Sequence, residues 1–460
     1  MRTIKMQKAE RLPCPTSSNS QNWKSSLLKY GIFYMTCEPK PLFETFESFV
    51  DQDFLCAGSS VNYVQDYINA FPAELRVGAG YEAVRSFLRA YDQSEQTYTS
   101  YRTHVERLLL WATIVQKKSI FELRRQDAEA YLNFCRNPPI SWVGSVTRSR
   151  FVPNKDAETA IGFPLVPNEK WKPFSQKRPK NPPPSNVDVP YSASTGTMNQ
   201  VFSVCSSFYE FLAEGCLVSL NPFRMVKNKQ HYTGNAGGDV QNRALTPLQW
   251  DYVLETAEDM ASLEPLKHQR TLFVLSTLFA MYLRISDLVG RANWQPTMGD
   301  FRQDPEGNWW YHVIGKGDKV GKIAVRNEYI DQYLKRYRLF LGLSELPSEN
   351  ERTPLLCTLD GRAGLSGRQV RTLLQSVFDN ALAKMKAEGR ESYETNSLRA
   401  ASAHWLRHTS ATFDAPFRKA KDLQLDLRHS NLSTTQDTYY HSHDQERVYS
   451  IKRLGMRDRG

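Results

Sequence analysis

The sequence predicts a mainly helical protein of more than one domain, with a small antiparallel β-sheet in its C-terminal half. Three observations carry that reading. At 460 residues the chain exceeds what one ordinary hydrophobic core fills, so two or three domains are expected. Apolar residues recur at three- and four-residue spacing through several long stretches. One pair of aromatic and β-branched runs, flanking a glycine-containing turn, interrupts them.

Composition narrows the class. The chain is 40% hydrophobic and 23% charged, as a globular protein is, and 59 Lys+Arg against 49 Asp+Glu give a net charge of +10. That excess supports an anionic partner. Nucleic acid is favoured over membrane, because the longest apolar stretch, Thr271 to Leu283, is followed at once by Arg284 and Asp287 and reads as a buried helix. Seven cysteines occur singly, with no Cys-x-x-Cys pair, which suits a reducing compartment. With a polar, basic start from Met1 to Leu12, a cytoplasmic protein is expected.

Residues 1–83 mix short aromatic runs with polar turns and read as an N-terminal accessory region. A helical domain is expected over 84–226. Within it, Tyr98, Tyr101, Val105, Leu108, Leu109 and Ala112 form one apolar stripe, a second helix covers Arg125 to Phe134, and a third covers Met198 to Val218. Residues 137–190 interrupt this domain with Pro138-Pro139, a basic run from Lys170 to Lys180 and Pro182-Pro183-Pro184, and read as a surface excursion. The stretch Val226 to Arg243, rich in Gly, Asn and Lys, reads as a linker (227–244), and 245–460 as the C-terminal domain and its tail. That domain opens on Thr246 as an N-cap with Pro247 as first helical residue. Helices follow, then a hairpin from Trp309 to Val325, then further helices.

Four patterns in the second half could carry chemistry: "YLRISDLVG" at 282–290, "VIGKGDK" at 313–319, "HWLRHTSAT" at 404–412 and "LRHSNLSTTQDTYYH" at 427–441. In this order and at these separations they resemble the signature of the tyrosine recombinase, or phage integrase, family. The resemblance covers residues 245–450 in detail and Ser94 to Phe223 more loosely, as that family's helical core-binding domain. It implies a helical core-binding domain plus a mixed α/β catalytic domain, clamped on duplex DNA. It also implies a homotetramer on paired recombination sites, and a 3′-phosphotyrosyl intermediate that needs no cofactor. Among members, the long N-terminal region and the insertion favour a mobile-element integrase. Alternatives are a dimer-resolving recombinase, a type IB topoisomerase and an inactive DNA-binding accessory protein.

Matched residue by residue, the resemblance makes Arg284 and Arg407 the two catalytic arginines, with Asp287 as an acidic support. Lys316 becomes the lysine of the hairpin turn, His404 the histidine of the His-x-x-Arg motif, His429 the third basic position and Tyr439 the nucleophile. The chemistry is consistent with these residue types. Attack on a phosphodiester adds negative charge to the non-bridging oxygens, and arginine presents fixed, permanently charged donors to it. A tyrosine, with a pKa of about 10, needs a base or a cationic pocket. A departing alkoxide needs a proton, which Lys316, or Lys319 as a second candidate, could supply.

Each residue also has an ordinary reading: Arg284 could merely pair with Asp287, and the lysines could be a solvated turn. Tyr440 and Tyr449 remain as other nucleophile candidates. His404 and His408 are spaced like two zinc ligands, but the residue after the first is Trp405, not the glutamate of zinc proteases; no metal is expected there, nor at His441 and His443. Two departures from the family stand out. Arg428 occupies a position usually glycine, and Trp405 one usually aspartate.

Overall fold

The computed structural model describes residues 38–51, 60–156, 165–176, 191–233, 243–291, 293–315, 320–440 and 451–452. It is mainly helical, with few and short strands. Two compact units divide at Gly238/Asp239, inside the expected linker. Of the residues singled out in the sequence, Lys316, Lys319, Pro182–Pro184, His441, His443 and Tyr449 lie outside the described residues.

In the N-terminal unit, α1 (Phe46–Asp51), α2 (Ser60–Asn69) and α3 (Val77–Arg89) precede α4 (Glu95–Trp111) and α5 (Arg125–Arg136). Helix α4 starts at Ser94, whose hydroxyl accepts the Thr97 backbone N–H at 3.4 Å. Five of the six predicted stripe residues (Tyr98, Val105, Leu108, Leu109 and Ala112) are fully buried, and Tyr101 packs at the margin.

The boundary expected at 83/84 is not a boundary in packing. Leu42, Phe43, Val64, Tyr67, Ile68, Val77 and Tyr81 lie in the same core as the α4 stripe and as Val201, Val204, Phe208 and Leu212 of α6 (Thr195–Glu214). Glu106 ties the two parts together by accepting the backbone N–H groups of Leu42 and Phe43 at 2.7 and 3.2 Å. The short aromatic runs supply core residues from an irregular segment (Leu42, Phe43) and from α2 and α3; the buried residues of α3, Val77, Gly80, Tyr81, Val84, Phe87 and Leu88, recur at three- and four-residue spacing.

The insertion is also more than a surface excursion. Between α5 and α6, β1 (Val143–Gly144) pairs with β4 (Phe174–Ser175), and β2 (Phe151–Pro153) pairs with β3 (Leu165–Pro167). Trp142, Trp171 and Phe174 from this region are buried in the unit's core. The expected linker begins with α7 (Lys229–Thr233), and its Thr233 is buried.

The C-terminal unit opens on α8 (Pro247–Leu263). Its predicted start is a reciprocal cap: the Gln249 N–H donates to Thr246 Oγ1 at 3.2 Å, and Thr246 N–H to Gln249 Oε1 at 3.1 Å. Helix α9 (Pro265–Ala280) is buried on nearly all sides from Gln269 onward. Among the described residues no helix is long and apolar enough to cross a membrane. Helix α10 (Ile285–Val289) ends at Gly290, where φ is +87° and a Cβ would stand 2.5 Å from Trp294 O, so only glycine fits.

A three-stranded antiparallel sheet follows, in the order β5 (Phe301–Gln303), β6 (Trp309–Ile314), β7 (Val320–Ala324). The hairpin was legible in the sequence, but β5 was too short to be. Then α11 (Asn327–Tyr329) runs through a π turn at Ile330–Leu334 into α12 (Lys335–Phe340). The remaining helices are α13 (Gly367–Ala387), α14 (Ser392–Ala400), α15 (Ala403–Asp414), α16 (Ala420–Leu427) and α17 (Leu432–Tyr439). A large core joins α8, α9, α13 and the sheet, while a satellite cluster of Tyr282, Ala411, Leu423, Leu427 and Tyr439 joins α15, α16 and α17.

Candidate active site

Helix α15 is built with two faces. Trp405 and Leu406 enter the large core, while His404, Arg407 and His408, spaced three, four and one apart, share the opposite side. Arg407 is buried and held by backbone carbonyls at both ends of its guanidinium, Tyr282 O at 2.5 Å and Leu427 O. Those two carbonyls belong to the segments that carry Arg284 and His429, so Arg407 joins three of the four sequence patterns.

Arg284 precedes α10 and is exposed. Its backbone N–H donates to Asp287 Oδ2 at 3.0 Å, while its guanidinium makes no ion pair or hydrogen bond among the described residues. Partial desolvation lowers its pKa against the opposing pull of Asp287, and Arg428 and Arg291 lower it further. Burial, then Arg284, push Arg407 down in the same way. A buried guanidinium whose charge a second guanidinium disfavours forms a site that an anion would relieve.

Tyr439 ends α17 and is buried against the satellite cluster, with its hydroxyl 2.8 Å from His408 Nδ1. His408 Nε2 lies 2.9 Å from His404 Nε2. One consistent assignment runs Tyr439 O–H to His408 Nδ1, then His408 Nε2–H to His404 Nε2. His429, in the turn between α16 and α17, stacks on the Tyr439 ring at 6.4 Å between centroids, and its Nδ1 is 2.9 Å from Thr435 Oγ1. Tyr440 points elsewhere, donating from its hydroxyl to Arg418 O at 2.7 Å.

The fold therefore brings together Arg284, His404, Arg407, His429 and Tyr439, and adds His408, which sequence reasoning had weighed only as a metal ligand. The available signal was its place on the α15 face, four residues from His404 and one from Arg407. Lys316 lies outside the described residues. The strands flanking it are tied to the site, however: Ile314 pairs with Val320, and Ile314 O accepts Arg291 Nε at 3.1 Å.

The histidines are held neutral. Burial, then His404 and Arg407, bring His408 down to about 4, and burial with Arg407 and Arg284 brings His429 to about 4. Burial raises Tyr439 to about 12 against the pull of Arg407 and Arg284. With an ordinary value of about 6.5, an unfolded chain takes up these histidine protons at a pH where the folded one does not. Stability is thus expected to fall as pH drops from about 6.5 towards 4. Histidine ring shifts followed by NMR should show His408 and His429 neutral at pH 5.5, with a lower melting temperature at pH 5 than at pH 7. Titration of both near 6.5 would contradict this.

No protein-family model matches the chain. Tyrosine recombinase XerC of Bacillus licheniformis is 28% identical over 248 residues, covering 52% of this chain and 68% of that protein. Among solved structures, XerH site-specific recombinase bound to palindromic difH substrate, in a post-cleavage complex, matches with a TM-score of 0.52. It is 13% identical, and the match covers 92% of this chain and 98% of that one. These similarities support a tyrosine recombinase family for the chain.

The two departures from that family's pattern have physical accounts. Arg428, at the usual glycine, caps α16 in the left-handed region at φ 51°, a conformation that costs a side-chain-bearing residue about 1–2 kcal/mol. Its guanidinium pairs with the fully buried Asp287, which also binds Arg291 at 3.1 Å. Asp287 thereby connects α10, the turn after α16 and, through Arg291, the hairpin. Room for Arg428 depends on Gly321 of β7, where a Cβ would approach Arg428 Cδ to 3.2 Å. Trp405, at the usual aspartate, contributes its indole to the large core instead of a charge to the site.

Proposed function

We propose that this tyrosine recombinase cuts and rejoins duplex DNA at specific sites through a covalent 3′-phosphotyrosyl bond. The observation that carries the reading is the Tyr439 hydroxyl, hydrogen-bonded to a neutral His408 beside Arg284 and Arg407, neither of which makes an ion pair among the described residues. The Tyr439 oxygen attacks the phosphorus as its proton passes to His408 Nδ1. Arg284, Arg407 and His429 donate to the non-bridging oxygens, where charge develops. The 5′-oxygen departs and takes a proton from Lys316. Because the phosphotyrosyl link keeps the energy of the phosphodiester, a free 5′-hydroxyl can reverse the reaction with no nucleotide cofactor.

Duplex DNA as partner, and four protomers on two paired sites, are the assembly this reading takes from the family resemblance. Integration or excision of a mobile element is the biological reading we favour, supported by the residues inserted between α5 and α6 and by the helices before α4. The similarity to XerC and XerH supports a second reading, resolution of chromosome or plasmid dimers. A test uses DNA flanking the gene, as duplexes nicked next to each candidate cleavage position. A denaturation-resistant protein–DNA complex on one such repeat, and exchanged products when two repeats are supplied, are expected. Relaxation of any supercoiled DNA without exchange would instead assign a topoisomerase, and binding without a covalent complex an accessory protein.

The general acid has its own test. Lys316→Ala is expected to slow cleavage of ordinary DNA by about 10²–10⁴-fold, yet spare a substrate whose 5′ bridging oxygen is sulfur, since a thiolate leaves without a proton. Equal damage on both substrates would reduce Lys316 to positioning.

A further inference from the structure

The N-terminal unit holds a cavity of about 780 Å³, walled by α4, the start of α6 and the segments around β2 and β4. Arg102, His104 and Arg107 of α4 line it, exposed by only 7%, 5% and 7%. Arg102 Nε, Arg107 Nε and His104 Nδ1 are buried with no hydrogen-bond partner. The remaining contacts of the two arginines are to neutral groups: Arg102 donates to Glu44 O, and Arg107 to Pro173 O at 2.7 Å while stacking over Phe174.

Other cations around the cavity are already compensated. Arg150 pairs with Glu106 at 2.5 Å and Lys172 with Glu38 at 3.3 Å, whereas the nearby Glu44 carboxylate is taken by Arg85 at 3.0 Å. Among the described residues no carboxylate pairs with Arg102, Arg107 or the exposed Arg148 at the rim. Buried guanidiniums without an anion are costly, and the cost falls when a ligand supplies one. The volume is that of a site for a nucleotide-sized molecule, much larger than a bare phosphate needs. Thr103, Thr197 and Tyr191 also line the cavity, as does Glu44, whose carboxylate pairs with Arg85.

We infer that this cavity binds a phosphate ester the size of one nucleotide, with its oxyanion between Arg102 and Arg107 and under Arg148. Arginine suits this ligand because its fork matches phosphate oxygens. The ester is either a free nucleotide or one nucleotide of a bound DNA strand. Only the second source rests on the proposed function.

The test measures binding by the full chain, with no cleavage required. Calorimetry with inorganic phosphate, deoxyadenosine 5′-monophosphate and deoxyadenosine probes the free source. Duplexes carrying one methylphosphonate at a time probe the DNA source. Arg148→Glu changes only the rim and is the variant least able to disturb folding; Arg102→Met removes the buried charge at similar length.

If the free source is right, the monophosphate binds, deoxyadenosine does not, and Arg148→Glu weakens binding at least 10-fold. If the strand is the source, one methylphosphonate weakens wild-type binding at least 10-fold but has no such effect in Arg148→Glu. Arg102→Met, where it folds, should repeat either result. Nucleoside and nucleotide binding equally, or Arg148→Glu matching wild type with every probe, would overturn the inference. A chain that binds the mononucleotide but never cleaves DNA would contradict the proposed function while leaving the cavity assignment intact.

Discussion

Tyr439→Phe is expected to bind DNA as the unaltered chain does and to form no covalent adduct, while Tyr440→Phe still forms one. The two hydroxyls are committed differently. Tyr439 faces His408 beside the arginines, whereas Tyr440 donates to Arg418 O at 2.7 Å, away from that cluster. Each phenylalanine keeps its ring packing and removes one hydrogen bond, so each should cost only about 1 kcal/mol of stability. Loss of cleavage in Tyr439→Phe is therefore a loss of the nucleophile and not of the fold. A cleavage assay on a nicked duplex, with melting temperatures alongside, checks both. Cleavage surviving in Tyr439→Phe and lost in Tyr440→Phe would move the active frame by one residue.

The two arginines should separate catalysis from stability. Arg284 is exposed, and its guanidinium bonds to no described residue. Arg284→Ala is expected to slow cleavage by about 10²–10³-fold and to change stability by no more than about 0.5 kcal/mol. Arg407 is buried and carries the carbonyls of Tyr282 and Leu427. Arg407→Ala leaves both without a donor, at about 1–3 kcal/mol each, and removes the second cation facing the phosphate. Both the rate and the denaturation midpoint should fall. Single-turnover cleavage and urea unfolding measure the two quantities; equal destabilisation by both variants would show that Arg284 also has a structural load.

What the sequence made legible was local or came from residue patterns. Thr246 and Pro247 announce α8 because a helix start needs a side-chain acceptor and tolerates proline. The runs Trp309–Ile314 and Gly321–Arg326 announce the hairpin by composition, and the four patterns brought Arg284, His404, Arg407, His429 and Tyr439 to attention. The partnership of His408 with Tyr439 was not legible, since it depends on how α15 and α17 meet, 31 residues apart. Arg428 stands where glycine is usual, and its pairing with Asp287, 141 residues away, was not legible in the sequence. The helices before residue 84 and the strands β1–β4 were missed for another reason. The strands are two or three residues long and are held by tertiary packing, whereas α3 does carry a helical period, at Val77, Gly80, Tyr81, Val84, Phe87 and Leu88, that the sequence reading passed over; Leu42, Trp142 and Phe174 share the one core.

The most direct measurement of the central claim is peptide mapping of the protein trapped on a nicked cognate duplex. After nuclease and protease digestion, mass spectrometry locates the residue that carries the nucleotide remnant. The account predicts a phosphate ester on the Tyr439 oxygen, absent from Tyr439→Phe and unchanged in Tyr440→Phe. An adduct on any other residue, or a cleaved duplex with no protein attached, would contradict it.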